Sequence, residues 1–328
     1  MVDEKKSFIL IITLWVVILI SIFMVILGYN IRRKIDVIKH LENNDKINYL
    51  FDFAFRKALL EIENKKDSFV LLTEPSKIYN EPEIFFADSS KVNRYLCRFD
   101  NIEIFYGIFD EERKININKA SLSILKRLFK FIGLDDMTAQ EISASIIDWR
   151  DEDSFLTIPL KSAESPYYRS LDTPYEAKDF PIEVLEELLL VKGITPEIFE
   201  KIERYITIYG DGAININTAS KEIFLILGLD EDVSNKIIIF RSGKDGVLGT
   251  DDDNFFESPD SIVPKLVNFY KIKESSLNSL INLIEIGLIK TNSDYFSIIV
   301  VSNLNNNFFK KLKTIVNRKG EVLYWNEN

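Results

Sequence analysis

"ININKASLSILKRL" occupies residues 115–128 and "ININTASKEIFLILGL" occupies 214–229, so one phrase is written twice, about one hundred residues apart. In the first copy Leu122, Ile124, Leu125 and Leu128 recur at helical spacing; in the second Ile223, Phe224 and Ile226 do the same. Asn116 and Asn118, and Asn215 and Asn217, are residue types that suit turns and helix N-caps. Each copy continues as helix, glycine turn, helix, through "FIGLDDMTAQEISASIIDWR" (131–150) and "ILGLDEDVSNKIIIFR" (226–241). A looser third copy is "LLLVKGITPEIFEKIERYI" (188–206). The spacing therefore predicts a helix-hairpin-helix unit used repeatedly. Hairpins of this kind that grip nucleic acid carry Gly-x-Gly turns, whose backbone N–H groups approach a phosphate. Here Gly133 and Gly228 are followed by Asp135 and Asp230 at the second glycine position, and carboxylates there repel phosphate. Packing is the expected role of the repeat. Nucleic-acid binding, as in a membrane-anchored DNA-uptake protein, is the alternative.

Outward from the repeat the character changes. "RYLCRFDNIEIFYGIFDEERKINI" (94–117) alternates imperfectly and has turn chemistry at Asp100-Asn101 and at Asp110–Arg113. "DYFSIIVVSNL" (294–304) and "FFKKLKTIVNRKGEVLYW" (308–325) read as strands with a hairpin turn at "NRKG". The economical arrangement is α+β: an antiparallel sheet interrupted by a helical domain over residues 118–290.

The N-terminal part adds a long helix. "FILIITLWVVILISIFMVILG" (8–28) holds no charge. At ~1.5 Å per residue it spans roughly 31 Å, enough for a ~30 Å hydrocarbon core. A cleaved signal peptide has a shorter apolar region and a small-residue cut site; this run leads into Tyr29 and "IRRK", so a retained membrane helix is expected. Lys5 and Lys6 precede it and Arg32, Arg33 and Lys34 follow it, a flank that by itself favours the opposite orientation to the one adopted below. Helical spacing then continues through Ile31, Ile35, Ile38, Leu41, Ile47, Leu50, Phe53, Phe55, Leu59 and Ile62, with "NNDK" (43–46) a point of bending or interruption.

Composition narrows the function classes. Hydrophobic residues make up 46% of 328, enough for a sizeable core, and 41 Lys+Arg against 51 Asp+Glu leave a net charge of −10, which disfavours general nucleic-acid binding. Cys97 is the single cysteine, so no internal disulfide forms, and His40 is the single histidine, so a histidine-based triad or metal site has no basis. No nucleophile–base arrangement or phosphate loop is present; Asp148 and Asp151 are spaced as an acid–base pair without a recognisable substrate site. The chain does not read as an enzyme.

Taken in order, "SFILIITLWVV", "RKININKAS", "IIDWRDED", "SAESPYYRSL", "PIEVLEELLLVKGITPE", "YITIYGDGAININTAS" and "GEVLYW" resemble the K-type minor pseudopilins of bacterial type II secretion systems (general secretion pathway protein K) over nearly the whole chain. The resemblance implies a pilin-like long N-terminal helix on an antiparallel sheet with a large inserted α-helical domain. It divides the chain into a leader and membrane helix (1–31), the pilin-like helix and first strands (32–117), the inserted helical domain (118–290) and closing strands (291–328). It also implies a place at the tip of a short periplasmic pseudopilus, with minor pseudopilins of the I and J types as partners and exported proteins as further contacts. The N-terminus would face the cytoplasm, the helix would sit in the inner membrane and the globular part would lie in the periplasm. Prepilin peptidase would cut between Ser7 and Phe8, although the family has Gly where this chain has Ser7. The fifth mature position would be Ile12 rather than the Glu of most pilins. A buried membrane carboxylate needs a partner, and a subunit at the tip has no subunit above it to supply one.

Two acidic clusters are candidate sites for a hard cation. In "DWRDEDSFLTIPLKSAESPYY" these are Asp151, Asp153 and Glu164; in "GKDGVLGTDDDNFFESPD" they are Asp245, Asp251 and Asp253. Calcium takes six to eight oxygens from flexible loops of this kind. Neither stretch has EF-hand spacing, and the alternative for each is a solvated loop. Calcium sites known in the family favour the calcium reading.

Overall fold

The computed structural model describes residues 2–64, 97–99, 102–246, 248, 252–304 and 307–327. They fall into two compact units, Met1–Phe53 and Ala54–Asn328. Helix α1, Val2–Asn64, runs unbroken from one into the other. The "NNDK" stretch does not interrupt it. Asn and Asp cost a helix only a few tenths of a kcal/mol each, far less than a second nucleation, and no proline stands nearby. In the first unit the helix is long and apolar enough from Thr13 onward to cross a membrane, and side chains such as Trp15, Phe23 and Val25 are exposed.

In the second unit the last turns of α1 lie against a sheet. Ala54, Ala58 and Ile62, four residues apart, form a fully buried stripe. The two small residues let the helix approach closely. Beside the stripe, Tyr106 donates its hydroxyl hydrogen to Glu61 at 3.1 Å, and Phe55 meets Trp325 edge-on at 5.2 Å.

The strands are β1 (Cys97–Phe99), β2 (Ile102–Asp110), β7 (Tyr295–Leu304), β8 (Asn307–Asn317) and β9 (Val322–Glu327), in the order β1-β2-β7-β8-β9 and antiparallel throughout. The β8–β9 turn at "NRKG" forms as expected, with Gly320 in the left-handed region and its N–H donated to the Asn317 carbonyl at 3.0 Å. The Asp100-Asn101 turn lies outside the described residues. Strand β7 is central: Phe296, Ile298 and Val300 are buried on one side and Ile299 and Val301 on the other. Its near-continuous apolar run reflects that two-sided burial.

Neighbouring strands β2 and β7 are joined by everything between them. That excursion holds the short strands β3 (Ile115–Asn116), β4 (Ile206–Thr207), β5 (Ile214–Asn215) and β6 (Ile289–Lys290). Its helices are α2 (Leu122–Phe131), α3 (Asp136–Arg150), α4 (Ser165–Arg169), α5 (Pro196–Ile202), α6 (Lys221–Leu227), α7 (Glu231–Arg241), α8 (Pro259–Tyr270) and α9 (Asn278–Glu285). One hydrophobic core holds them together, with Leu125, Leu128, Phe129, Ile142, Trp149, Phe224, Ile237 and Phe256 among its members. The fold is α+β, with the helical region inserted in the sheet.

The passage from sheet to helices is made by "DEER" (110–113), and all four residues are buried. Asp110 accepts hydrogen bonds from the Asn215 amide (2.9 Å), the Thr218 and Ser293 hydroxyls (2.6 Å each) and the Glu112 N–H (2.8 Å). Burial pushes its carboxyl above the usual range, and these donors oppose the shift. Glu111 accepts from Lys114 at 3.0 Å and from the Thr207 hydroxyl at 2.9 Å. Glu112 pairs with Lys290.

Candidate metal centre

Both copies of the repeated phrase do the same job. Strand β3 pairs in parallel with β4, and β5 with β6. In each copy the first asparagine accepts the N–H of the second: Asn116 from Asn118 at 2.9 Å, Asn215 from Asn217 at 3.0 Å. The second asparagine then clamps a distant backbone. Asn118 exchanges two 2.8 Å bonds with Ile182, donating to its carbonyl and accepting its N–H; Asn217 exchanges two of the same length with Phe256 and donates to the Thr291 carbonyl at 3.0 Å. The N-caps of the helices that follow are Ser121 and Ser220, so the asparagines form the expected turns but not the caps, and the second of each pair also clamps a distant backbone.

Each hairpin also ends alike. Arg150 at the end of α3 reaches back to the carbonyls of Ile117 and Ala120, and Arg241 at the end of α7 donates to the Ala219 carbonyl. Arg127 ties the copies together by donating to the carbonyls of Ile226 (2.8 Å) and Leu227 (3.0 Å) at the end of α6. In the first hairpin Asp135 caps α3, accepting the N–H groups of Met137 (3.0 Å) and Thr138 (3.1 Å). Those are the donors that a nucleic-acid-binding hairpin would offer a phosphate.

An acidic loop follows each terminal arginine. After Arg150 the structure brings Asp151, Asp153 and Glu164 together, with one carboxylate oxygen from each lying within 4.8 Å of the others. With metal–oxygen distances of about 2.4 Å, two oxygens on one calcium ion stand at most about 4.8 Å apart, so the spread fits. Asp148 is fully buried; its Oδ1 accepts the Thr157 N–H at 2.8 Å and its Oδ2 has no partner. The Glu164 Oε1, Asp151 Oδ1 and Asp179 Oδ1 are likewise buried without partners. Asp179 adopts φ +50° and donates its N–H to the Trp149 carbonyl at 3.1 Å.

The electrostatics agree with the geometry. Burial, then the charges of Asp153, Asp148 and Asp179, push Asp151 up to about 6. Burial, then Asp148, Asp179 and Asp151, push Glu164 up to about 7. Repelling carboxylates with orphaned oxygens are the donor set of a hard divalent cation. The residues present fit calcium: Asp151, Asp153 and Glu164 would hold it, with Asp148 and Asp179 beside them.

The second loop is built differently. Asp245 is exposed, and Asp251 lies outside the described residues. The charge of Asp253 acts on buried Arg241. The residue that organises the loop is Asp252, which accepts the N–H groups of Lys244 (2.6 Å) and Asp245 (3.1 Å). Among the described residues, no three carboxylates of this loop converge as Asp151, Asp153 and Glu164 do. Ser7 and Phe8 lie within α1.

Asp179 went unnoticed in the sequence because it lies fifteen residues past Glu164 and obeys no ligand spacing. Its one local signal is an acid immediately before Phe180-Pro181.

Residues 101–211 match the family model described as type II secretion system (T2SS), protein K. The resemblance to the K-type family stands. Two curated proteins named type II secretion system protein K are similar: one from Aeromonas hydrophila, 26% identical over 127 residues, and one from Pectobacterium carotovorum subsp. carotovorum, 28% identical over 100. These alignments cover 36% and 30% of this chain, and 38% and 30% of the relatives' own lengths. Among solved structures, a chain of the GspK-GspI-GspJ complex from the enterotoxigenic Escherichia coli type 2 secretion system matches with a TM-score of 0.59 at 15% identity, covering 88% of this chain and 98% of that one. The likeness of fold thus covers most of the chain, and the span matched by the family model contains the acidic loop, since 151–179 lies within 101–211.

Proposed function

We propose that this chain is a minor pseudopilin of the type II secretion system. It acts at the pseudopilus tip with I- and J-type minor pseudopilins in export across the outer membrane. The observation that supports this most is the overall architecture, a long helix with an antiparallel sheet and a helical insertion between adjacent strands, which matches a chain of the GspK-GspI-GspJ complex over 88% of this chain. The chain works as an assembly component rather than an enzyme. Helix α1 anchors it in the inner membrane with the globular part in the periplasm, and the inserted helices block stacking of a further subunit above. Calcium held by Asp151, Asp153 and Glu164 stiffens the insertion.

Co-expression of the full chain with its own cell's tagged I- and J-type pseudopilins tests the reading: a ternary complex is expected on purification. Recovery of an I–J pair without this chain would overturn it. A periplasm-specific reporter fused to the C-terminus should be active. Intact-mass measurement with and without prepilin peptidase reports whether Phe8 becomes the first residue.

A further inference from the structure

We propose that residues 151–180 form a docking surface for a protein segment whose apolar side chains are flanked by lysine or arginine. This goes beyond the tip assignment and does not require calcium.

Away from the long helix, this stretch exposes five large apolar side chains. Leu160 is 96% exposed and Phe155 81%, and Phe180, Leu156 and Tyr167 are also exposed. Single exposed apolar residues need no explanation, but these five stand on the stretch that carries the acidic cluster. Leu160 further adopts φ +65°, a conformation a leucine rarely takes. It gains no packing in return, so its projection has no stability rationale within the chain. The acidic cluster fixes the segment: the Phe155 N–H is held by Asp153 Oδ1 at 2.7 Å, Thr157 is held by Asp148, and Phe180 follows Asp179 directly.

Charge identifies the partner. Residues 148–192 hold eleven Asp and Glu against five Lys and Arg, a balance of −6 that one divalent cation reduces only to −4. The five cations are engaged within the chain. Arg150 is on the Ile117 and Ala120 carbonyls, Lys161 on Glu141, Arg169 on Glu176, Lys178 on Glu183 and Glu187, and Lys192 on the Lys161 carbonyl. The stretch therefore offers apolar groups in a net negative field, which attracts a basic, apolar segment and repels an anionic membrane.

The test uses the full chain in phosphatidylcholine nanodiscs, with empty nanodiscs subtracted. Two labelled ten-residue peptide amides serve as probes, one alternating lysine with leucine and phenylalanine, the other with glutamate in place of lysine. Fluorescence anisotropy should show the lysine peptide binding at least tenfold more tightly than the glutamate peptide. The triple variant Phe155→Ser, Leu160→Ser, Phe180→Ser should weaken lysine-peptide binding at least tenfold. Leu160→Ser alone leaves the fold intact because its side chain meets only solvent, and should weaken binding about threefold. Calcium binding, followed separately by calorimetry, reports on the metal site alone. Equal affinity for both peptides, or no loss in either variant, overturns the proposal. Self-association in sedimentation velocity that the triple variant abolishes overturns it as well, by assigning the surface to a second copy of this chain.

Discussion

Replacing Glu164 by Gln separates a metal site from a merely acidic loop. Glu164 is 4% exposed, and its carboxyl is raised from 4.5 to about 7. Stability from a raised carboxyl is fully present below the unfolded pKa of 4.5 and is lost as pH rises through about 7. At pH 8 without metal, its ionisation therefore costs the folded state up to roughly 3 kcal/mol, at about 1.4 kcal/mol per unit. Gln keeps the shape and removes that cost, so the metal-free variant should melt several degrees above the wild type at pH 8, and together with it at pH 5. Calcium reverses the advantage of losing the charge. At a hundredfold excess over Kd it stabilises the wild type by about 2.7 kcal/mol. A tenfold loss of affinity in the variant would reduce that gain to about 1.4 kcal/mol. The variant thus begins higher and gains less. Thermal unfolding of metal-stripped full-length protein, followed by near-ultraviolet circular dichroism of the Trp149–Tyr168 pair (5.1 Å between ring centroids), measures both quantities. A variant that melts below the wild type without metal, or an unchanged calcium increment, would refute the reasoning.

Other substitutions test the scaffold. Asn217→Ala removes a side chain that satisfies three buried backbone groups, and should cost about 2–4 kcal/mol in urea unfolding. Arg127→Ala frees two carbonyls at the end of α6 and should cost about 1–2 kcal/mol by the same assay. Asp110→Asn turns an acceptor of four donors into a group with two N–H donors of its own, and should cost about 1–3 kcal/mol.

The helices, the strands and the insertion between them were legible because periodicity is local. The hairpin glycines were equally plain: Gly133 and Gly228 both adopt positive φ. Asp151 and Asp153 were legible as part of a dense run of carboxylates, and the structure groups them with Glu164, eleven residues on. What sequence could not show depends on distant partners. Four consecutive charged residues, Asp110 to Arg113, read as a turn, which forms, and nothing local marked them as buried. Yet Thr207, Lys290 and Ser293, roughly 100 to 180 residues away, make their burial tolerable. The asparagines were legible as turn residues because a turn needs only the next few residues, whereas a clamp needs Ile182 or Phe256 brought alongside.

Adjacent strands β2 and β7 have a kinetic consequence. Asp110 pairs with Phe296, 186 positions along the chain. Closing an unstructured loop of that length costs roughly 3 kcal/mol more than closing a four-residue hairpin. Helix–turn–helix contacts within the excursion are local by comparison and carry little of that cost. The insertion is therefore expected to fold first and to deliver its two ends side by side, with Asp110 and Ser293 already hydrogen-bonded. Pulse-labelled hydrogen exchange should show the amides of α2, α3, α6 and α7 protected before those of β2 and β7. On this order of events the helical insertion serves as the template on which the central strand pair closes, and the sheet is the last part of the second unit to form.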